Sequence, residues 1–421
     1  MTELRAAQAP PAGPAGVGPL DGVRIIDCSL LGPGALAMHL ADLGAEVIKV
    51  EPPGGDPLRR TTWPMVDDVS LMHLHINRTK RSVGIDLRNP AGADVFRDLV
   101  RGADAVVEGM RPGALARRNL GYEELEAINP RIVFCSISGF GSTGPYRDVP
   151  SHGVAFDAWA GLVTPEIDET GEWAIPDHPS IGMHAGPLFG ALGVTAAILR
   201  ARTTGEGSHL EIAQSDAAAA MDWLRSETWM TYRNRDRDRD PDVDRPRRAP
   251  GTAGMRHGVR YQFYATKDDR HVLFMASERI FWRNFCEGVG RLDLFERWPG
   301  EERGDHATGN LELREELRRV FASRTADDWM SFAVAHDTAI APVNTPETLQ
   351  DDPQFQERFS LHPTDVVGAA QLPSPIRYHG DHAGSPSRAA TLGQDTDEVL
   401  RRELGYDDAT ITGLRRIGAV H

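Results

Sequence analysis

Apolar positions in the first third of the chain fall in short unbroken runs that alternate with stretches of helical spacing. Val23-Arg24-Ile25-Ile26-Asp27 reads as a buried strand, and Leu31-Gly32-Pro33-Gly34 then turns the chain into an amphipathic helix from Ala35 to Leu43. Gly44-Ala45 closes that helix before a second apolar run, Glu46 to Glu51. The alternation continues with a strand from Ser82 to Leu87, a helix from Pro90 to Arg101 and a strand from Ala105 to Glu108. A helix from Tyr122 to Ile128 and a strand from Ile132 to Ser136 follow. Strands that alternate with helices in this way are covered on both faces, which predicts an α/β fold with an open, Rossmann-like doubly wound sheet.

Further along, small and apolar residues from Gly186 to Arg200 predict a buried helix, and Asp216 to Tyr232 a second long one. Arg233 to Pro250 is nearly all Arg, Asp and Pro and cannot bury itself, so it is expected to be a charged flap. Val259 to Ala265 and His271 to Ala276 read as strands paired about the Lys267-Asp268-Asp269-Arg270 turn. Helices are expected over Arg279 to Gly290, Leu311 to Ala322, Ala326 to Ala335 and, finally, Asp395 to Leu404. The resulting partition is a leader over 1–18, a large domain over 19–225 with 340–421, and a smaller α+β domain over 226–339 that carries the flap.

Composition narrows the function classes. The 421 residues carry 46 basic and 61 acidic side chains, net −15, which argues against nucleic acid or an anionic membrane as partner. A polyanionic ligand would therefore need a local basic pocket. No apolar run is read as long enough to cross a bilayer, and the Ala/Pro/Gly-rich start lacks the form of a signal peptide, so the expected location is cytoplasmic. Cys28, Cys135 and Cys286 are widely spaced and read as buried thiols. The histidines are scattered, and no metal cluster is expected.

Several motifs recur in a recognisable order: Pro19-Leu20-Asp21-Gly22, Asp42-Leu43-Gly44-Ala45-Glu46-Val47-Ile48-Lys49-Val50-Glu51-Pro52-Pro53-Gly54-Gly55-Asp56-Pro57, Asn77-Arg78-Thr79-Lys80-Arg81, Arg111-Pro112-Gly113, Gly139-Phe140-Gly141-Ser142-Thr143-Gly144-Pro145, and Pro342-Val343-Asn344-Thr345-Pro346. Together with Gly182-Met183-His184-Ala185-Gly186 and Thr204-Gly205-Glu206-Gly207, they make the chain resemble the class III coenzyme A transferases over residues 19 to 406. The resemblance implies acyl-CoA and a carboxylic acid acceptor as substrates, no metal, and two chains interlocked as a homodimer. In that family the residue after the first glycine of the central segment is an aspartate nucleophile; here it is Met183, which cannot attack a thioester.

Coenzyme A needs fixed positive charge for its phosphates, and the candidates are Arg59, Arg78, Lys80, Arg81 and Arg111. The Gly32 turn can seat an anion at a helix start, and the backbone near Gly139 and Gly141 can offer donors to a developing oxyanion. His152 falls where the related racemases keep a proton-shuttling histidine, and imidazole suits that task near neutrality. Asp157, in the same segment, is the first candidate to replace the missing carboxylate; Asp177 and His184 are weaker ones. Three functions stay open at this point: CoA transfer by a non-standard route, His152-dependent proton transfer as in a racemase, isomerase or lyase, and a catalytically silent CoA-binding subunit.

Overall fold

The computed structural model describes residues 18–61, 64–235, 256–302, 304–378 and 386–421. Residues 1–17 of the expected leader and 236–250 of the charged flap lie outside this set. The described residues form two compact units: the first runs up to Asp222 and resumes over Phe359–His421, and the second is Trp223–Arg358.

The first unit is built on six strands: β1 (Arg24–Asp27), β2 (Glu46–Glu51), β3 (Arg81–Gly84), β4 (Ala105–Glu108), β5 (Val133–Ser138) and β6 (Ser208–Ala213). They pair in parallel throughout, in the order β6-β5-β4-β1-β2-β3. Period-two alternation along each strand feeds two cores. Ile26, Ile48, Val106 and Phe134 face one layer with Phe96, Leu99 and Val399, whereas their neighbours Ile25, Val47, Val107 and Cys135 face the other with Leu36, Leu40 and Val194. All three cysteines are buried and free.

Four helices matter for the site: α1 (Ala35–Asp42), α2 (Ala155–Trp159), α3 (Ile181–Thr204) and α4 (Gln214–Met221). Helix α3 begins five residues earlier than its apolar run predicts and spans 24 residues, and its most apolar 18-residue stretch has a mean hydropathy of 1.4. That corrects the reading that no segment has membrane-crossing length. One face of α3 instead packs on the sheet through Val194, Ile198 and Ala201. The long helix expected over Asp216 to Tyr232 is also corrected: it breaks at Asp222 into α4 and a separate helix, Trp223–Arg235.

The second unit holds a three-stranded antiparallel sheet of Gln262–Ala265, His271–Phe274 and Ile340–Pro342. Its core is aromatic, with Phe274 and Phe285 ring centroids 4.6 Å apart and Phe321 and Trp329 4.8 Å apart. Because Ile340–Pro342 completes this sheet, the return to the first unit comes after Arg358 rather than at 340.

Candidate active site at the strand order reversal

The strand order reverses between β1 and β4, so the connections leaving their carboxyl ends diverge and open a crevice, the position where open α/β sheets bind ligands. A cavity of ≈ 270 Å³ occupies it. Its walls are the loop after β1 (Leu30–Pro33), the loop after β4 (Gly109–Pro112), the end of β5 with Gly139 and Phe140, the segment Arg147–Gly153, and Phe156, Met183 and Gln214. A second cavity of ≈ 360 Å³ shares Leu30 and Met110 with it and runs toward Pro52–Gly54, Arg88 and Arg118.

The loop after β1 is fixed from beneath by buried charge. Lys80 Nζ meets Asp27 Oδ2 at 2.7 Å, the Gly34 carbonyl at 2.7 Å and Asn77 Oδ1 at 3.1 Å, which satisfies all three protons of an ammonium. Lys49 Nζ pairs with Asp56 Oδ2 at 3.0 Å and donates to the Ser29 carbonyl at 2.8 Å. Burial alone would raise the Asp27 carboxyl, but Lys80 and Lys49 beside it hold it below the usual range. Above this network Leu31 adopts φ 61° and ψ −149°, a region nearly confined to glycine, and its N–H donates to Asp56 Oδ1 at 3.2 Å. The surrounding network thus holds a strained residue on the cavity wall.

Behind the loop after β4, Glu108 at the end of the strand accepts from Met110 N–H at 2.9 Å, and burial pushes its carboxyl up. Glycine at 139 allows close packing here, because a Cβ there would lie 2.1 Å from Ser151 Oγ and 2.9 Å from Phe156 Cε1. The start of α3 brings Met183 across to the β1 loop, where a Cβ on Gly32 would lie 3.1 Å from Met183 Cγ. Residue 183 is therefore a wall of the cavity.

Of the residues expected from sequence, Gly32, Arg111, Gly139, His152 and Met183 line this cavity. The remaining cations do not, and their expected role is corrected. Arg78 and Lys80 are 1% and 3% exposed, and Arg78 is bound to Asp42 while Lys80 is bound to Asp27. Arg59 makes a two-pronged pair with Glu51 at 2.6 and 3.0 Å and donates to the Ala390 carbonyl. Arg81 pairs with Glu46 at 2.9 Å and Glu403 at 3.3 Å. All four hold the fold. The Gly141 N–H, proposed as an oxyanion donor, is already given to Ser138 Oγ at 3.1 Å.

Asp157 also moves out of the expected role. It is fully buried, absent from the cavity wall, and its Oδ1 accepts the Gly182 N–H at 2.8 Å, anchoring the start of α3. Its Oδ2 lies 3.5 Å from His178 Nε2. Asp177 and His184 are exposed and line neither cavity. Among the described residues, the carboxylate that does line the first cavity is Asp148, exposed and 3.6 Å from Arg147. Sequence reasoning missed Asp148, Arg147, Arg88, Arg118 and Gln214. The charged loop residues carry no motif, and Gln214 follows a strand that was itself overlooked.

Comparison with known proteins agrees with this geometry. The chain matches the CoA-transferase family III profile over residues 20–396. It is 29% identical to human succinyl-CoA:glutarate CoA-transferase, across 96% of this chain and 90% of that protein. Identity to the succinate–glutarate CoA-transferase of Agrobacterium fabrum is 30%, with 94% and 98% covered. Among solved structures, a CAIB/BAIF family protein from Brucella suis superposes with a TM-score of 0.71 at 26% identity, covering 92% of this chain and all of that one. The chain belongs to CoA-transferase family III, enzymes that move CoA between acyl-CoA thioesters and carboxylic acids.

Proposed function

We propose that this enzyme transfers CoA without a covalent intermediate on residue 183, by direct attack of the acceptor acid within a ternary complex. The carrying observation is Met183 on the cavity wall, facing Gly32 where the family resemblance expects a carboxylate. In the proposed route a carboxylate oxygen of the acceptor bonds to the thioester carbonyl carbon, and CoA leaves as the thiolate. The resulting mixed anhydride is then attacked at the acceptor's carbonyl carbon by that thiolate. The acceptor becomes the new thioester and the donor acid departs as carboxylate, so charge and atoms balance. The cavity would act chiefly by holding the two reactants together.

CoA would extend across the two neighbouring cavities, which share Leu30 and Met110. The nucleotide end would lie in the second, with phosphates near Arg118 and the exposed Arg88, which would exchange its partner Asp86 for them; pantetheine would pass Leu30, Met110 and Arg111 on the first cavity to bring the thioester beside Met183. Arg147 on the first cavity suits a second carboxylate on the substrate. Dicarboxylates are thus the first class to test, in line with the glutarate named for two relatives. Steady-state kinetics with succinyl-CoA as donor and a panel of oxalate, malate and glutarate as acceptors should give intersecting double-reciprocal lines. Mass spectrometry of the enzyme with succinyl-CoA alone should find no CoA ester. Parallel lines, with an adduct on a protein carboxylate, would sink the direct route.

His152 supports a second reading, because it lines the same cavity and is exposed to it. As a proton shuttle it would exchange the α-hydrogen of a bound acyl-CoA with solvent deuterium. His152→Ala should then cost on the order of 10²- to 10⁴-fold in that exchange. Undiminished turnover by the variant rules this reading out.

We also propose a homodimer. Helix α3 leaves Leu188, Leu192 and Leu199 at 51, 66 and 70% exposure along one side, apolar area that a second copy of the chain would cover.

A further inference from the structure

Gln214 opens α4, is 4% exposed, and turns its side chain to the cavity that Met183, Gly32 and Gly139 line. Its Oε1 is buried and has no hydrogen-bond partner. Buried amides are rarely left this way, because an unpaired polar group forfeits its hydration without a return. The backbone beside it is tied to the cavity wall by contrast: the next residue, Ser215, donates its N–H to the Gly139 carbonyl at 3.0 Å. The stem is also held firmly, since a Cβ on Gly186 would lie 2.7 Å from Gln214 Cγ. Residues 183 and 186 are three apart on one helix and share a face. The unpaired amide therefore sits one turn along α3 from Met183.

We propose that Gln214 is a substrate-contacting residue whose carboxamide hydrogen-bonds the acyl carbonyl oxygen of the bound thioester. The proposal rests on the reading that CoA lies along the two neighbouring cavities. The same wall carries the apolar Phe156, Ile137 and Met183, and its polar Ser138, Ser151 and His152 leave the amide oxygen unpaired, so a ligand in the cavity is left to supply the partner. On that path Arg88 and Arg118 lie at the nucleotide end, Arg111 and Arg147 lie on the first cavity, and the polar atoms of the ligand that reach Met183 belong to the acyl group. A carboxamide offers two donors and an acceptor, and a half-turn of its terminal torsion exchanges them. Its N–H can thus meet a carbonyl oxygen, and would meet it more strongly as negative charge builds there during attack. A thioester carbonyl is common to every acyl-CoA, so the contact is independent of which acyl group the enzyme takes.

The test compares CoA with acetyl-CoA labelled with ¹³C at the carbonyl, using the whole chain and the variants Gln214→Leu and Gln214→Asn. Calorimetry gives both dissociation constants, and infrared difference spectra give the carbonyl stretch of the bound ester. The wild-type protein should lower that stretch relative to free acetyl-CoA. Gln214→Leu should abolish the lowering and weaken acetyl-CoA about 5- to 10-fold, while CoA itself stays within about twofold. Gln214→Asn, one methylene shorter, should lose most of the shift and guards against a folding defect in the leucine variant. An unshifted carbonyl in the wild type overturns the proposal, as does an acetyl-CoA to CoA affinity ratio unchanged in both variants. Failure of the wild type to bind CoA overturns the groove reading and this proposal with it, a result distinct from either of those.

Discussion

Cations that look alike in the sequence occupy opposite surroundings here, and single substitutions separate them. Lys80 neutralises Asp27 with both side chains essentially out of water, 1% and 0% exposed. Lys80→Met leaves a buried carboxylate short of its nearest partner and should cost about 3 to 5 kcal/mol of folding stability. Denaturant unfolding checks this, and a stability within 1 kcal/mol of wild type contradicts it. Arg111 is exposed on the cavity wall and has no such burden. Arg111→Ala should leave unfolding unchanged and weaken CoA binding by about 1.5 to 3 kcal/mol, the usual worth of a charge-assisted hydrogen bond. The Asn77-Arg78-Thr79-Lys80-Arg81 cluster resembles a phosphate site in one dimension. Only burial and partner geometry show that its charges are consumed internally.

At the scale of elements, the start of α3 sets residue 183 against the β1 loop. Asp157 fixes that start from α2 through the Gly182 N–H, where a carboxylate also opposes the positive end of the helix dipole. Asp157→Ala should destabilise the protein by about 1 to 3 kcal/mol, while Asp157→Asn, which keeps the acceptor, should lose less. Thermal melts of both variants decide it; equal melting of Asp157→Ala and wild type would remove the anchoring role. Most of the sheet was readable from period and breakers, since β1, β2 and β4 are apolar runs with glycine-bearing turns behind them. Strand β6 was not. Its sequence Ser208-His209-Leu210-Glu211-Ile212-Ala213 alternates polar and apolar because it is an edge strand with one face open, and it is short enough to pass for a loop. The break at Asp222 was equally invisible, as no proline or glycine marks it.

For the molecule as a whole, buried titratable groups predict acid sensitivity with a defined sign. Burial, with Arg59 nearby, lowers His73 to about 4, and burial with Arg78 does the same to His75. Both are therefore neutral in the folded state while the unfolded chain takes up protons from about pH 6.5 downward. Stability is fully present above that pH and is lost as pH falls toward 4, by up to about 3 kcal/mol for His73. Burial works against Glu51, but Arg59, Lys49 and Ser82 bring it down to about 2. Its contribution is present above 4.5 and is lost between 4.5 and 2, so it adds to the same trend. The melting temperature should fall steadily from pH 7 to pH 4, and a flat profile over that range counts against these environments. Light scattering tests the dimer: the wild-type mass should be near twice 46.1 kDa. Introducing Leu192→Glu and Leu199→Glu together should shift it toward the monomer, and a stable wild-type monomer rejects the interlocked pair.

By itself, the sequence determined the alternation of strands and helices, the parallel doubly wound sheet, the glycine-bearing turns at the crevice, the family, and the apolar residue at 183. Each is written locally, in period, in backbone-permissive residues or in ordered motifs. Tertiary structure alone decided which charges remain available and which polar groups lack partners. Arg78 and Lys80 are bound to acids 36 and 53 residues away. Asp157 is turned from the cavity by a contact 25 residues on, and Gln214 faces it from the far end of a strand the pattern concealed. A side chain's neighbours across such separations are set by how the layers pack, and they fix its solvation and hydrogen bonding. Those two properties distinguish a structural charge from a ligand-binding one.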